Sequence, residues 1–369
     1  MSRSDFLKPP GAYFLSHSVG CLPVQTEQQG ARLYFDSWAR QGGDAWETWL
    51  SLIEAFKASL SQVLNAQAKE LCPQVNISSA LTKILGSLPL PDQHKNVILL
   101  SEHDFPSSGF VFEQAKRLGY RLKFFSKEAP LYDLEQWRSL IDERVCIVHI
   151  THVSSVLSQL APVKEIVSLA HQHNAVSIVD VAQSVGVVPI DVNQWQADFI
   201  LGSCVKWLCG GAGAGFLWVN SQRVHDCSPM DVGWFSHQQP FEFDMHHFEY
   251  AEDARRFLGG TPSVLPYVVA AKSIDVMVDV GIEEIRQHNL KLTEKIINAA
   301  ESLDIPICSP KRVQHRGGTV TLKLESSVMT LLQGKQIHFD TREQSLCRFS
   351  PHIYTGGAEL DVLFDVLEA

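Results

Sequence analysis

Residues 177–219 read SIVDVAQSVGVVPIDVNQWQADFILGSCVKWLCGGAGAGFLWV, and the fold turns on how this stretch is divided. The run AVSIVDV at Ala175–Val181 is apolar but for Ser177 and Asp180, the pattern of a parallel strand covered on both faces. Asp180 falls at its carboxyl end, the edge where open α/β sheets place their ligands. A second apolar run, DFILGS at Asp198–Ser203, delivers Lys206 just past its own end, 26 residues after Asp180. Two neighbouring strand ends therefore carry an acid and an amine.

Taken singly, an aspartate after a strand is ordinarily a cap or turn residue, and a lysine is ordinarily solvated. Together they suit pyridoxal 5′-phosphate (PLP). A lysine amine condenses with that cofactor's aldehyde as a Schiff base. A carboxylate beside the pyridine nitrogen keeps it protonated, so that the ring accepts electrons from a substrate carbanion.

The surrounding composition is compatible with such an enzyme. At 369 residues and 41.2 kDa the chain exceeds the size at which one core stops growing, which implies two domains. With 45% hydrophobic and 20% charged residues it has the composition of a soluble globular protein. A net charge of −10 argues against nucleic-acid binding, which needs a basic face. No apolar run reaches the roughly 18–20 residues that span a bilayer, and MSRSDFLKPPGAY has no hydrophobic signal segment; the expectation is a cytoplasmic protein that does not engage membranes. The eight cysteines form no CxxC pair, and Cys204 and Cys209 flank Lys206 with no histidine at ligand spacing. Reduced thiols and no metal are expected.

From Asn96 to Val219 short strand-like runs alternate with helical ones: NVILL, YRLKFF, VCIVHI, AVSIVDV, DFILGS and GFLWV. This alternation indicates a mostly parallel sheet with helices on both faces. Pro162 opens a helix with Val163, Ile166, Leu169 and Ala170 on one face, and Asn174 offers a left-handed stop. Past Gly260 the pattern changes to a long helix carrying Ile282, Ile285, Leu292, Ile296, Ala299 and Leu303, then TVTLKL and a final helix from Ala358. Trp38, Trp46 and Trp49 read as packing residues. The glycine-rich GGAGAG at Gly210–Gly215 leads into the strand-like GFLWV rather than opening a helix, so it is not a dinucleotide-binding loop.

Asp180-Val181-Ala182-Gln183 followed by Ser203 and Lys206 resembles the class V aminotransferase group of fold-type I PLP-dependent enzymes, a group that includes kynureninases and cysteine desulfurases. The resemblance extends through YFLSHSVGCLP at Tyr13, SEHDFPSSGF at Ser101, ITHVSSVL at Ile150, DVGWFSHQQPFEF at Asp231, RFLGGTPSVL at Arg256 and LCRFSPHIYT at Leu346. GWFSH and GGTPS are similar to kynureninases in particular. The resemblance implies the fold-type I PLP-dependent transferase fold, an α/β architecture with a mostly parallel seven-stranded sheet in its large domain. Residues 1–45 would form an N-terminal arm joining the active site, 46–258 the large PLP-binding domain and 259–369 a small C-terminal α/β domain.

It also assigns roles. Lys206 would form the Schiff base and Asp180 contact the pyridine nitrogen. Ser78 and Ser79, in the NISS segment before the apolar helix ALTKIL, could hold the cofactor phosphate at a helix N-terminus, with Ser203, Trp234 and Thr261 matching further phosphate ligands. Thr261's counterpart comes from a partner subunit, which implies a homodimer with a shared active site. Phe105 matches the ring that kynureninases stack on the cofactor, with His103 as its rival, and Gln183 matches the partner of the phenolic oxygen. Arg348 would grip the substrate's α-carboxylate, for which a planar fork of donors is suited, and His17 and Ser18 match a loop reaching the substrate pocket.

Departures from the pattern bear on the reaction. Val205 replaces the tyrosine that kynureninases carry before the lysine, Gln183 replaces their histidine, and His17 replaces an asparagine. Desulfuration needs a cysteine on a loop ahead of the arginine, and none lies between Cys308 and Cys347. Three readings remain for a protein taking a small amino-acid substrate: kynureninase-like hydrolysis of a Cβ–Cγ bond, a class V aminotransferase or lyase acting on another amino acid, and a non-catalytic regulator built on the same fold.

Overall fold

A computed structural model describes residues 5–369. The amino-terminal segment contributes three two-residue strands, β1 (Phe6–Leu7), β2 (Ala12–Tyr13) and β3 (Leu22–Pro23), before the hairpin of α1 (Val24–Gln41) and α2 (Ala45–Leu64). Trp46 and Trp49 pack there, with Trp49 stacked on Tyr34 at 5.4 Å, whereas Trp38 touches Trp49 but stays exposed.

The central sheet follows: β4 (Leu71–Gln74), α3 (Ile77–Leu85), β5 (Val97–Ser101), α4 (Pro106–Ala115), β6 (Arg121–Phe125), α5 (Leu134–Leu140), β7 (Val145–Thr151), α6 (Val163–Gln172), β8 (Val176–Asp180), α7 (Val192–Trp195), β9 (Phe199–Ser203) and β10 (Gly215–Val219). Its seven strands run in the order β4-β10-β9-β8-β7-β5-β6. β10 is antiparallel to both β4 and β9, and the remaining pairs are parallel.

All six strand-like runs form strands. The seventh, β4, was not legible because LCPQ contains Pro73, which cannot donate to a ladder; the fold places it at the sheet edge, where proline is tolerated. Pro162 precedes α6, whose Val163, Ile166, Val167 and Ala170 are buried, and Asn174 adopts φ 51° as the left-handed stop. Replacing the fully buried Ile166 by alanine would cost about 2–5 kcal/mol.

The sheet is covered on both faces by apolar cores. Beyond it come α8 (Leu265–Val280), α9 (Ile282–Ser302), β11 (Val320–Lys323), α10 (Ser326–Gly334), β12 (Ile337–His338), β13 (Asp340–Arg342), β14 (Leu346–Phe349) and α11 (Gly357–Leu367). Although α8 lies past residue 259, its Tyr267, Ala270, Ile274 and Met277 pack into a core of the central sheet. A third core joins α9, α11 and the β11-β14-β13 sheet and takes in Phe14 from the amino-terminal segment. Among the described residues no helix is long and apolar enough to cross a membrane.

Candidate active site

Parallel pairing sets Asp180 beside Leu201, so the carboxyl ends of β8 and β9 open on the same edge. Lys206 follows in the turn after β9. Both residues line a cavity of about 250 Å3, at the strand ends where an open α/β sheet takes its ligands. Burial pushes the Lys206 pKa down; Asp180 works against this and Arg348 adds to it. Burial likewise raises Asp180, opposed by His149, the Ala182 amide and Lys206. Asp180 Oδ1 accepts from the Ala182 N–H at 2.8 Å, the one hydrogen bond to this carboxylate among the described residues. A buried acid so thinly partnered is suited to a cationic ligand atom.

The wall of the cavity comes from neighbouring strand ends. Phe105 precedes α4, and its ring centroid lies 5.8 Å from Lys206 Nζ. His103 lies outside this wall: its Nε2 meets the Ala129 carbonyl at 2.9 Å and its ring packs near Phe125. Ser203 and Gln183 line the cavity, and Gln183 Nε2 donates to the His17 carbonyl at 3.2 Å. Thr151 Oγ1 also lines it, buried and without a hydrogen-bond partner among the described residues.

Asn76, Ile77 and Ser78 close one end, where α3 begins. Asn76 caps this helix, its Oδ1 accepting from Ser79 N–H at 2.8 Å. The first amides of a helix have no intrahelical acceptor, which leaves those of Ile77 and Ser78 for an anion. Ser79 lies one position further on, outside the cavity wall. The donors at the helix start, the acid, the amine and the aromatic wall fit PLP.

The amino-terminal segment presses against the Lys206 turn. Gly20 N–H donates to the Val205 carbonyl at 2.9 Å, and a Cβ at position 20 would come within 2.1 Å of the Lys206 carbonyl oxygen, an approach only glycine permits. His17 is buried beside the cavity, whereas Ser18 is exposed and lies outside it.

Arg348 is buried and outside the cavity wall. Its Nε donates to Asp340 Oδ1 at 2.8 Å, its Nη2 to Asp340 Oδ2, and its Nη1 to the Ser155 carbonyl at 2.5 Å. His17 completes the group, with Nε2 2.9 Å from Asp340 Oδ1 and Nδ1 2.6 Å from Ser350 Oγ. Asp340 was not among the residues singled out from the sequence. It faces Arg348 directly across the β13-β14 hairpin, whose turn is made by Glu343 and Gln344 at positive φ; no glycine or asparagine marks that turn.

Trp234 and Thr261 also lie apart from the Lys206 cavity. They meet one another, Trp234 Nε1 donating to Thr261 Oγ1 at 3.3 Å, and Thr261 is exposed. The glycine-rich segment leads into β10 and opens no helix. No cysteine lines the cavity among the described residues, and Cys347, beside Arg348, is fully buried with its thiol pushed up to about 12 by burial.

Comparison with known proteins gives a consistent picture. The family model described as aminotransferase class-V matches residues 24–363. The kynureninase of Pseudomonas fluorescens is 25% identical over 365 residues, covering 94% of this chain and 86% of its own length. That of Deinococcus radiodurans is 29% identical over 364 residues, covering 94% and 87%. An uncharacterised aminotransferase of Bacillus subtilis, YcbU, is 24% identical and covers 91% and 88%. Among solved structures, the apo cysteine desulfurase of Thermococcus onnurineus NA1 superposes with a TM-score of 0.89 at 20% identity, covering 99% of this chain and 96% of that one. A C-DES mutant with glycine covalently linked to its PLP cofactor gives 0.90 at 20% identity, covering 100% and 99%. At such identity these two likenesses establish the fold, the fold-type I α/β architecture.

Proposed function

Since this chain belongs to the class V aminotransferase family and is a PLP-dependent enzyme, we propose that it carries out a kynureninase-like hydrolysis, cleaving a Cβ–Cγ bond in an amino acid that bears a γ-carbonyl. The observation that carries this reading is the placement of Lys206 Nζ against the Phe105 ring in a cavity shared with Asp180. An aromatic at the stacking position, together with GWFSH and GGTPS, is the kynureninase-like part of the chain.

Bound in this cavity, PLP supplies an aldehyde for exchange with the substrate amine and a ring that accepts electrons from Cα. The protein does the rest. The amides of Ile77 and Ser78 and the Ser203 hydroxyl hold the phosphate, and Asp180 balances the charge on the pyridine nitrogen. Phe105 fixes the ring plane, which orients the bond to be broken. Gln183 donates to the phenolic oxygen, its carboxamide already steadied by the His17 carbonyl. Lys206, whose pKa burial pulls below that of an ordinary lysine, takes the substrate's α-proton and returns it as general acid–base. Arg348 takes the α-carboxylate, and His17, whose carbonyl meets Gln183, bounds the far side of the substrate.

The protein acts as a homodimer in this reading. Trp234 and the exposed Thr261, paired with one another away from the Lys206 cavity, would meet the partner's phosphate site, and exposed Phe110 and Met230 supply apolar surface. We place it in the cytoplasm.

A second reading, transamination, draws on Gln183 and Val205, which stand where kynureninases carry histidine and tyrosine, and on the similarity to YcbU. A product screen across amino acids, including kynurenine and 3-hydroxykynurenine, separates the two. Anthranilate or its hydroxylated form released with alanine supports hydrolysis. A keto acid together with pyridoxamine phosphate overturns it in favour of transamination.

A further inference from the structure

Away from the Lys206 cavity, residues 237–250 form a loop closed on itself by an antiparallel bridge between His237 and Tyr250 and by the Ala251 N–H donating to the Ser236 carbonyl at 2.9 Å. Closure turns three side chains toward one point. His237 Nε2 lies 2.9 Å from Glu242 Oε2, and His247 Nδ1 lies 3.0 and 3.1 Å from the two Glu242 oxygens. One ligand atom from each residue lies within 4.8 Å of the other two. We propose that His237, Glu242 and His247 form a divalent metal site of zinc type, separate from the cofactor site.

The chemistry favours such an ion. Two imidazoles and a carboxylate are a borderline donor set that zinc accepts, with a fourth position left to water. Tetrahedral bonds of about 2.0–2.2 Å place donor atoms roughly 3.3 Å apart. The contacts to Glu242 of 2.9–3.1 Å therefore need to open by a few tenths of an ångström, and the two imidazole nitrogens, within 4.8 Å of one another, need to settle at the same spacing.

The supporting groups are also in place. His237 is buried, and its Nδ1 faces both the Glu249 carbonyl at 2.8 Å and the Glu249 N–H at 3.0 Å. With the proton on Nε2, the ring donates to Glu242 and accepts from the Glu249 amide. With the proton on Nδ1, it donates to the Glu249 carbonyl, and the Nε2 lone pair is free for a metal. A ligating histidine held at its other nitrogen by a backbone carbonyl is the usual supporting arrangement. The Phe248 ring, 5.5 Å from that of His237, flanks it. Glu242 and His247 are open enough to admit the ion, with side chains 29% and 51% exposed. Bound metal would staple this loop next to Trp234, whose ring contacts Phe241 and Phe243 within it.

The test is a calorimetric titration of chelator-treated, dialysed holoenzyme with Zn2+, beside His247→Ala and Glu242→Gln. Both variants change side chains at the surface, and circular dichroism and cofactor absorbance check that they remain folded and loaded. The expected result is one zinc per chain, bound through nitrogen and oxygen as read by X-ray absorption at the zinc edge. Affinity should drop about 100-fold or more in each variant, since even a residue that only supports a metal ligand is worth roughly 10–100-fold. Wild-type protein that takes up no stoichiometric zinc, or variants that bind it as tightly as wild type, would overturn the proposal, and neither outcome depends on the reaction catalysed at Lys206.

Discussion

Asp340 accepts from both Nε and Nη2 of Arg348, so the guanidinium proposed to receive a substrate carboxylate already holds one from the protein itself. Burial works to raise the Asp340 pKa, but hydrogen bonds from His17 and Arg348 outweigh it and hold the group far below the ordinary carboxylate range. It is therefore ionised at neutral pH. An incoming carboxylate must share or displace it. Asp340→Asn, which keeps the shape and removes the charge, should lower KM for the amino acid about tenfold, or about 1.4 kcal/mol, with kcat little changed. Steady-state kinetics decide the matter, and a raised KM would show instead that Asp340 positions Arg348 for the substrate.

Lys206→Ala should reduce turnover by about 10²–10⁴-fold, because the amine proposed to move the α-proton is lost. The variant should also lack the visible absorbance of the lysine-bound cofactor. Wild-type activity in this variant would remove the basis of the proposed mechanism.

Phe105 and His103 are separable by measurement. Phe105→Ala should loosen cofactor retention about tenfold, in keeping with the ~0.5–1.5 kcal/mol that ring pairs contribute beyond area burial. His103→Ala loses its contact to the Ala129 carbonyl and should cost about 1 kcal/mol of stability with cofactor retention unchanged. Dialysis followed by absorbance reads the first effect and urea unfolding the second; the reverse assignment would identify His103 as the stacking residue.

Acid should weaken the fold before the carboxylates titrate. Burial pushes both His17 and His352 down to about 4. His352 is held neutral, with Nε2 2.8 Å from the Trp207 carbonyl and Nδ1 accepting from Ile353 N–H at 2.7 Å. In the unfolded chain each would titrate near 6.5. Between these values the unfolded state binds protons that the native state refuses, so stability is complete above about 6.5 and falls as the pH drops toward 4. At pH 5 each histidine should have removed roughly 2 kcal/mol. Urea midpoints at pH 7 and pH 5 measure this, and equal midpoints would contradict it.

Much of the sheet and of the cofactor end of the site was legible because it depends on local pattern. Short apolar runs rich in β-branched residues and alternating with helical segments fit strands covered on both faces, and Asp180 ends one such run and Lys206 follows the next, their parallel pairing bringing the two ends together. β4 was hidden by Pro73, whose tolerance depends on an edge position that only the finished sheet supplies. The reach of α8 into the core of the sheet was hidden too, since a helix's apolar face does not say which neighbour covers it.

The sequence by itself determined the alternation of strands and helices from β5 to β10 and the placing of an acid and an amine at two successive strand ends, because hydrophobic period and spacing along the chain encode both. Tertiary structure alone decided that Asp340 occupies two of Arg348's donors, that His103 turns away from Phe105's cavity, and that His237, Glu242 and His247 converge. Each of these depends on hairpin register, side-chain direction or loop closure, which are fixed by contacts between residues whose separation along the chain says nothing of their distance in space.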